Sequence, residues 1–173
     1  MRLDQYLVEK KLVKSRSKAK ELIQSSLVFV DSICVTKPSF QVLGEVQIEI
    51  KNAEILQYVS RGALKLKPAI ARAKISVSGK KCLDVGVSTG GFSQCLLELD
   101  ASSVVGVDVG QAQTDSDLLD DQRFKVFEKI NAKQLEDYPE LSPYLEDIDL
   151  VVMDVSFISI TKILPSLVKN IKK

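Results

Sequence analysis

Residues 80–92 read KKCLDVGVSTGGF, and this stretch decides the fold of most of the chain. It begins as an apolar run of strand length, turns through several glycines and continues into a helical pattern that reaches Leu97. Three more strand-like runs follow, SSVVGVDVG, FKVFEKI and DLVVMDV, with helical stretches between some of them. Apolar strands that alternate with helices are typical of a parallel sheet with both faces covered. The sequence therefore predicts an α/β fold with a doubly wound, Rossmann-like sheet.

The loop that begins at Asp84 is a candidate ligand site, because open parallel sheets bind ligands at the carboxyl ends of their strands. Gly86 and Gly90 permit close approach of the backbone, and the helix that follows offers free N–H groups. Asp108 ends the next strand, where its carboxylate can accept hydrogen bonds from both hydroxyls of a ribose. This arrangement indicates a ligand that resembles a nucleotide.

Three classes of nucleotide ligand compete for this loop. The P-loop motif GxxxxGKS/T, which binds triphosphates, is absent. The dinucleotide fingerprint GxGxxG differs from the spacing found here, GxxxGG, and Asp84 would face the pyrophosphate. An acidic residue at the start of the loop suits a cationic or hydroxyl-bearing ligand better. S-adenosyl-L-methionine, which has an amino-acid end, a sulfonium and a ribose, meets this description.

The composition excludes several classes of chemistry. The 173 residues are 45% hydrophobic and 27% charged, as in ordinary globular proteins. The absence of histidine excludes a Ser-His-Asp triad and histidine-ligated zinc. No apolar run approaches the ~20 residues of a membrane helix. The N-terminus has no apolar signal-peptide core, so we expect a cytoplasmic protein without a membrane partner.

Neither the cysteines nor the acidic residues predict a metal site. Cys34, Cys82 and Cys95 lie far apart without a CxxC pair, and we expect them to be small buried residues in a reducing compartment. The aspartates between positions 115 and 121 lack the ordered loop of a calcium site, with its glycine and terminal glutamate. A solvated acidic turn is the favoured interpretation.

The first 51 residues carry a different charge from the rest of the chain. They hold nine basic and six acidic side chains, whereas residues 52–173 hold fifteen basic and seventeen acidic ones. A basic segment on a mildly acidic body indicates a separate module that meets a polyanion. A solvated helical surface can have the same charge pattern, so the charge alone leaves both interpretations open.

Local patterns predict two helices and then short strands in this module. Leu3, Tyr6 and Leu7 recur at helical spacing, Asp4 can favour the first turn, and Ser15 or Ser17 can cap a second helix. LVFVD and ICVT predict two strands joined by a tight turn at Asp31-Ser32, and VQIEI predicts a third. A module of ~50 residues is near the lower limit for independent stability, so we expect it to be attached to a larger domain.

Residues 58–75, YVSRGALKLKPAIARAKI, predict a helix after a turn at Ser60-Arg61-Gly62. Pro68 lies within this stretch, and proline removes an N–H donor from a helix interior. We therefore do not expect a single straight helix here.

The first module resembles the small S-four-like RNA-binding domain of ribosomal proteins. The resemblance rests on Arg2-Leu3-Asp4, on LVKSRSKA (12–19) and on VFVD (28–31) followed by Lys37-Pro38. Two departures are Ser26, where the family has glycine, and Asp31-Ser32 in place of Asn-Gly. The resemblance implies contacts with RNA phosphates from the following basic residues: Arg2, Lys14, Arg16, Lys18, Lys20 and Lys37.

The whole chain resembles the haemolysin A (TlyA) family of ribosomal-RNA 2′-O-methyltransferases, whose catalytic domain is of the FtsJ type. The matching stretches are SRGALKL (60–66), DVGVSTGGF (84–92), VVGVDVG (104–110) and DVSFISITKILP (154–165). The resemblance implies an RNA-binding domain at 1–51, a linker at 52–59 and a partial S-adenosyl-L-methionine-dependent methyltransferase domain at 60–173. It implies cofactor contacts from Asp84, Gly86, Ser88, Gly90, Asp108 and Asn131.

The resemblance also implies that Lys65 and Asp154 are the first two members of a Lys-Asp-Lys-Glu catalytic set. A ribose 2′-hydroxyl is a poor nucleophile near neutral pH, so a positioned group must take up or share its proton. Lys162 and Lys169 do not stand in the context of the second lysine. The alternative interpretation makes Lys65 a solvated helix lysine and Asp154 a strand-end residue that caps a turn.

The sequence supplies fewer strands than a complete sheet of this class, so we expect a truncated member with weak or absent methyl transfer. Cofactor and RNA binding are expected to survive in part. The partner is then ribosomal RNA or a ribosomal subunit. The alternative function is that of a non-catalytic RNA-binding protein with a remnant cofactor domain.

Overall fold

The computed structural model describes residues 1–51 and 58–171, and the chain forms two compact units, Met1–Gln57 and Tyr58–Lys173. Most of the predicted linker, 52–59, lies outside the described residues. Its last two residues belong to the second unit. Tyr58 is buried in the core of that unit, and the Val59 amide donates a hydrogen bond to Oε1 of Gln94 at 2.8 Å.

The first unit contains the predicted helices and strands. They are α1 (Leu3–Glu9), α2 (Arg16–Gln24), β1 (Val28–Val30), β2 (Ile33–Cys34) and β3 (Ile48–Ile50). The strands form an antiparallel sheet in the order β2-β1-β3. Leu3, Leu7, Leu22 and Ile23 are fully buried, so the apolar spacing of the two helices was predicted correctly.

The turns before and after β1 place residues other than glycine in the left-handed region. Ser26 follows α2 with φ of 59°, and its amide donates to the carbonyl of Ile23 at 3.1 Å. Asp31 and Ser32 have φ of 47° and 67°, and Val30 pairs with Ile33 across them. This is the predicted two-residue hairpin turn. Ser15 is the residue that caps α2, because its Oγ accepts from the Lys18 amide at 3.2 Å.

The second unit is built on a parallel sheet. Its elements are α3 (Gly62–Ala73), β4 (Lys81–Val85), α4 (Gly91–Glu98), β5 (Ser103–Val107), α5 (Ser116–Leu119), β6 (Phe124–Phe127), β7 (Leu150–Met153) and α6 (Leu164–Asn170), with 3₁₀ turns at Ala132–Asp137, Pro139–Tyr144 and Ile160–Lys162. The four strands lie in the order β6-β5-β4-β7 and are all parallel. The predicted doubly wound sheet is confirmed.

Alternate residues of the strands enter two different cores. Cys82 and Val104 pack with α3 and α4 on one face, through residues such as Leu66 and Leu96. Leu83, Val85, Val105 and Val107 pack on the other face, against the following residues of the 3₁₀ turns and α6: Leu135, Leu141, Leu145 and Leu167. Side chains of a strand alternate between its two faces, so both faces of the sheet are covered, as predicted.

Two local expectations are wrong. The helix α3 continues through Pro68, which lies on its exposed side, where water can satisfy the carbonyl that loses its N–H partner. Cys34 is exposed on β2, although Cys82 and Cys95 are buried as expected. Within 1–51 and 58–171, no helix has the length and apolarity that a membrane span requires.

Candidate cofactor and catalytic site

Three aspartates lie at the carboxyl edge of the parallel sheet. Asp84 is on β4 opposite Gly106 of β5 and Val152 of β7, and Asp108 and Asp154 directly follow those neighbouring strands. The charges of Asp108 and Asp154 both raise the pKa of Asp84. The fold therefore brings together two predicted cofactor residues and one predicted catalytic residue.

Asp84 is fully buried and only half satisfied. Its Oδ2 accepts a hydrogen bond from Ser93 Oγ at 2.7 Å, whereas Oδ1 has no hydrogen-bond partner among the described residues. Burial raises the pKa of Asp84 to about 7, against the lowering effect of its hydrogen bonds with Ser93. A buried acceptor without a donor costs free energy, so a cationic or N–H group of a ligand would be stabilised at Oδ1.

The loop after β4 requires glycine at two positions. Gly86 has φ of 87°, and a Cβ atom there would lie 3.0 Å from both the Asp154 carbonyl oxygen and Val155 Cγ1. Gly90 has φ of 99° at the N-cap of α4, where a Cβ atom would collide with Leu118. The absence of side chains at these positions lets the backbone of the loop, here called the cradle, pack closely against the residues that follow β7 and against α5.

Asp108 closes this loop from the next strand. Its Oδ2 accepts from the Ser88 amide at 2.7 Å, and its Oδ1 accepts from the Gly110 amide at 2.6 Å. The residue is half-buried, and each carboxylate oxygen has a second lone pair for another donor. Asp108 can therefore hold the loop and still accept hydrogen bonds from ribose hydroxyls.

Asn131 lies close to Asp108 and four positions after the end of β6. The amide of the preceding residue, Ile130, donates to the Asp108 carbonyl at 2.8 Å. The side chain of Asn131 is used within its own turn, where Oδ1 accepts from Lys133 and Nδ2 donates to Gln134, both at 3.2 Å. Asn131 thus lies at the edge of the site, and its side-chain amide is already hydrogen-bonded within its own turn.

The two predicted catalytic residues form an ion pair. Nζ of Lys65 lies 2.8 Å from Oδ2 of Asp154, and the two side chains are 65% and 45% exposed. Asp154 is held in turn by its amide, which donates to the Val85 carbonyl at 3.3 Å. A polar group that approaches this edge from solvent can reach both charged groups.

A glycine contact that sequence reasoning missed brings Lys65 to this edge. Gly62, at the start of α3, packs against Gly91, at the start of α4, and a Cβ atom on Gly62 would lie 3.7 Å from Gly91 Cα and 3.3 Å from the Phe92 ring. The close approach of the two helices places Lys65, one turn later, over the end of β7. The signal in the sequence was the glycine of SRG, which we interpreted only as part of a turn.

Phe157 is a second residue that sequence reasoning missed. It lies three positions after Asp154, its side chain is fully exposed, and its φ is 64°. Large apolar side chains are normally at least partly covered, and a β-unbranched aromatic residue in the left-handed region is uncommon. An exposed ring beside a charged pair is suited to stacking on a planar group.

The predicted RNA-binding residues occupy the first unit in different environments. Arg2 and Arg16 both contact the buried carboxylate of Asp4. Lys18 is 10% exposed and lies 3.3 Å from Glu21 Oε2. The remaining three are exposed lysines: Lys14, Lys20 and Lys37. The two arginines are brought together around a common partner, Asp4.

No group of histidine, cysteine, aspartate or glutamate side chains suited to a metal ion occurs in the parts of the chain that the structure describes. The aspartates of the acidic turn have local roles instead. Asp115 caps α5, and Asp121 forms a two-point ion pair with Arg123, with the shorter contact at 2.7 Å.

Comparisons with known proteins agree with this architecture. The profile of the FtsJ-like methyltransferase family matches residues 58–172, and that of the S4 domain matches residues 1–48. Hemolysin A of Brachyspira hyodysenteriae is 40% identical over 173 residues, which cover 99% of this chain and 69% of that protein. The 16S/23S rRNA (cytidine-2'-O)-methyltransferase TlyA of Mycobacterium tuberculosis is 41% identical over 167 residues, with 96% and 61% covered.

A solved structure from Streptococcus thermophilus, of a candidate hemolysin, superposes with a TM-score of 0.66 at 33% identity and covers 100% of this chain and 62% of that one. The chain thus spans about three fifths to two thirds of the length of these relatives. Both of its units are matched, and the match in the second unit covers every element around the three aspartates. The chain belongs to the FtsJ-like methyltransferase family and, with its N-terminal S4 domain, to the TlyA/hemolysin A group within it.

Proposed function

We propose that this protein binds RNA through its first unit and, in its second, transfers a methyl group from S-adenosyl-L-methionine to a ribose 2′-hydroxyl of ribosomal RNA. The observation that carries the proposal is the Lys65–Asp154 ion pair at 2.8 Å, at the same sheet edge as the half-satisfied carboxylate of Asp84. We place this activity in the cytoplasm, where ribosomal RNA is present. The relative from Mycobacterium tuberculosis carries the corresponding activity in its name.

The residues at the edge of the sheet fit this cofactor. The unpartnered Oδ1 of Asp84 suits the cationic amino group of the cofactor. The cradle at Gly86 and Gly90 has no side chains, which suits a ligand that lies close to the backbone of the loop. Asp108 has acceptor capacity for the ribose hydroxyls, while Ser88 fixes its orientation. Asn131 lies next to Asp108 and would border the base.

The Lys65–Asp154 pair handles the hydroxyl that is methylated. The bound cofactor supplies a methyl carbon that its sulfonium makes electrophilic. Asp154 accepts the hydrogen bond of the 2′-hydroxyl and aligns its oxygen, while Lys65 holds the carboxylate in place. As the oxygen–carbon bond forms, the bond between the methyl carbon and the sulfur would break and leave its electron pair on a neutral thioether, while the O–H bond would break and its proton would pass to the pair. Both side chains reach solvent, so the proton can then leave.

Phe157 would contact the substrate rather than the cofactor. Its ring is fully exposed three residues from Asp154, and protein aromatic rings stack on unpaired RNA bases. Stacking of a base on this ring would hold the attached ribose near the ion pair. The site then selects an unpaired nucleotide over one within a helix.

Calorimetry and a transfer assay test the proposal together. We expect the 173-residue chain to bind S-adenosyl-L-methionine and not NAD or ATP. With the tritiated methyl donor, label should enter ribosomal RNA and be recovered, after digestion, in 2′-O-methylated nucleosides. Label in a base, or binding of NAD or ATP instead, would overturn the proposal.

The same assay separates the alternative function. A chain that retains RNA without binding the methyl donor would be a non-catalytic RNA-binding protein, an interpretation that the likeness to named rRNA methyltransferases does not favour. The sequence predicts that this chain transfers methyl groups weakly. Comparing its turnover with that of a longer relative at equal concentration tests this prediction, and equal turnover would contradict it.

A further inference from the structure

Asp4 is a fully buried carboxylate that joins the beginnings of the two helices of the first unit. Its backbone lies in the first turn of α1, and its amide donates to the Pro38 carbonyl at 3.1 Å. Its side chain is completely covered. From sequence, this aspartate was expected only to favour the first turn of its own helix, which requires no burial and no distant partner.

Both oxygens of Asp4 accept hydrogen bonds from arginines. Oδ1 accepts from Arg2 Nε at 3.0 Å, and Oδ2 accepts from Arg2 Nη2 at 3.3 Å and from Arg16 Nη2 at 3.1 Å. These bonds, led by the one with Arg2, lower the pKa of Asp4 to about 2. The carboxylate is therefore charged throughout the pH range in which RNA is handled.

The two guanidinium groups remain open to solvent on their outer sides. The side chains of Arg2 and Arg16 are 39% and 51% exposed, whereas the carboxylate between them is covered. A guanidinium has five N–H donors, and Asp4 uses two of Arg2 and one of Arg16. Outward donors are left on both groups for an anion.

Asp4 also removes the repulsion between the arginines. Two cations that contact the same carboxylate group repel each other, and without that group their long side chains would move apart in solvent. A shared counter-charge beneath them fixes both groups and leaves a net positive charge on the pair. Guanidinium groups bind phosphate with two parallel hydrogen bonds when their orientation is fixed.

We propose that Asp4 is a positioning residue that holds Arg2 and Arg16 as one preformed site for a backbone phosphate of RNA. The inference rests on the RNA-binding part of the proposed function and deepens it. Asp4 itself does not touch RNA, because it is covered. At long range, the negative charge of Asp4 repels the negatively charged RNA. By positioning the two arginines, the same charge nevertheless strengthens RNA binding.

The variant Asp4→Asn, made in the full chain, tests whether the negative charge of Asp4 strengthens RNA binding. The amide keeps the shape of the carboxylate but presents an N–H group to a guanidinium. We expect affinity for a labelled hairpin of ribosomal RNA to fall about tenfold. The slope of log affinity against log salt should become shallower by about 0.7 to 0.9, the loss of one phosphate contact. Asp31→Asn removes the same charge from an exposed turn and should leave affinity equal or slightly higher.

A coupling measurement separates positioning from damage to the fold. In the Arg2→Gln/Arg16→Gln background, Asp4→Asn should cause no further loss of RNA affinity, whereas a folding defect would weaken binding again. Thermal unfolding of each variant sets a temperature at which all are folded.

Unchanged or tighter RNA binding by Asp4→Asn would overturn this inference but not the proposed function. A further loss of affinity when Asp4→Asn is added to Arg2→Gln/Arg16→Gln would do the same. Failure of the unaltered chain to bind the hairpin would overturn the RNA-binding part of the proposed function, and with it the inference. Binding of S-adenosyl-L-methionine by the second unit provides the independent reading and should be the same in every variant.

Discussion

Nζ of Lys65 lies 2.8 Å from Oδ2 of Asp154, although 89 positions separate the two residues in the chain. The contact depends on α3, which carries the lysine, and on β7, which ends just before the aspartate. No local pattern in the sequence around either residue predicts that the two form an ion pair. Their meeting at the rim of the sheet is therefore a product of the fold.

The first prediction concerns the catalytic role of this pair. Lys65→Ala should lower the rate of methyl transfer by a factor of about 10² or more, because Asp154 would lose the group that holds it in place and a positioned proton acceptor contributes about 10² to 10⁴. Affinity for S-adenosyl-L-methionine should remain within about twofold, since the lysine contacts none of the cofactor loop. Transfer is measured by tritium incorporation and affinity by calorimetry.

Lys67→Ala is the matched control for that variant. Lys67 is on the same helix but donates to the Tyr58 hydroxyl at 3.0 Å, away from Asp154. Its replacement should leave the transfer rate close to normal. Equal losses in the two lysine variants would mean that the effect belongs to the helix and not to the ion pair.

The position of Asp84 and Asp108 at one sheet edge could be predicted from sequence because it follows a local rule. Asp84 and Asp108 each end a strand-like run, and parallel strands place their carboxyl ends at one edge. The Lys65–Asp154 pair came only from family resemblance, because no local rule joins positions so far apart. For the same reason, the contact between Asp4 and Arg16 could not be predicted from sequence. The position of Asp4 in the first turn of α1 follows from the local pattern, but its contact with Arg16 depends on how α1 packs against α2.

The second prediction is a pH dependence of cofactor binding set by Asp84. Its pKa is raised by burial to about 7 from an ordinary value of 3.8, so its effect on the stability of the unliganded unit is favourable at low pH and is lost as pH rises between these values. A cationic ligand group favours the ionised form. Affinity for S-adenosyl-L-methionine should therefore increase as pH rises from about 5.5 to 8, with proton release on binding near pH 6.5.

Calorimetry in two buffers of different ionisation enthalpy counts the released protons. Asp84→Asn should abolish both the proton release and the pH dependence, and it should weaken binding at pH 8. A proton count of zero for the unaltered chain would show that Asp84 does not face the cationic group.

The third prediction separates backbone strain from crowding at the cofactor loop. Gly86→Ala and Gly79→Ala both place a Cβ atom on a residue with positive φ, of 87° and 74°, and each should cost roughly 1 kcal/mol of stability. Only the first meets other atoms, the Asp154 carbonyl and Val155 at 3.0 Å, while nothing lies within 4 Å of the second. Gly86→Ala should therefore also reduce cofactor affinity and methyl transfer.

The comparison is made by urea unfolding together with calorimetry on both variants. We expect Gly86→Ala to lose more stability than Gly79→Ala, because crowding adds to its strain, and to be the variant that loses cofactor affinity. If Gly79→Ala impaired cofactor binding as much as Gly86→Ala, strain alone would explain the requirement for glycine, and the cradle would have no specific role.

The fourth prediction is a gain of stability in the first unit. Ser26 has φ of 59° directly after α2, and a non-glycine residue there costs roughly 1–2 kcal/mol, whereas the extra freedom of glycine in the unfolded chain costs about 0.5–1. Ser26→Gly should therefore stabilise the unit by about 0.5–1 kcal/mol. Ser25→Gly is the control, because Ser25 has φ of −88° and its hydroxyl donates to the Glu21 carbonyl at 2.6 Å. That change should destabilise the unit, and thermal unfolding of the two variants in opposite directions would show that the left-handed turn, not glycine in general, is the cause.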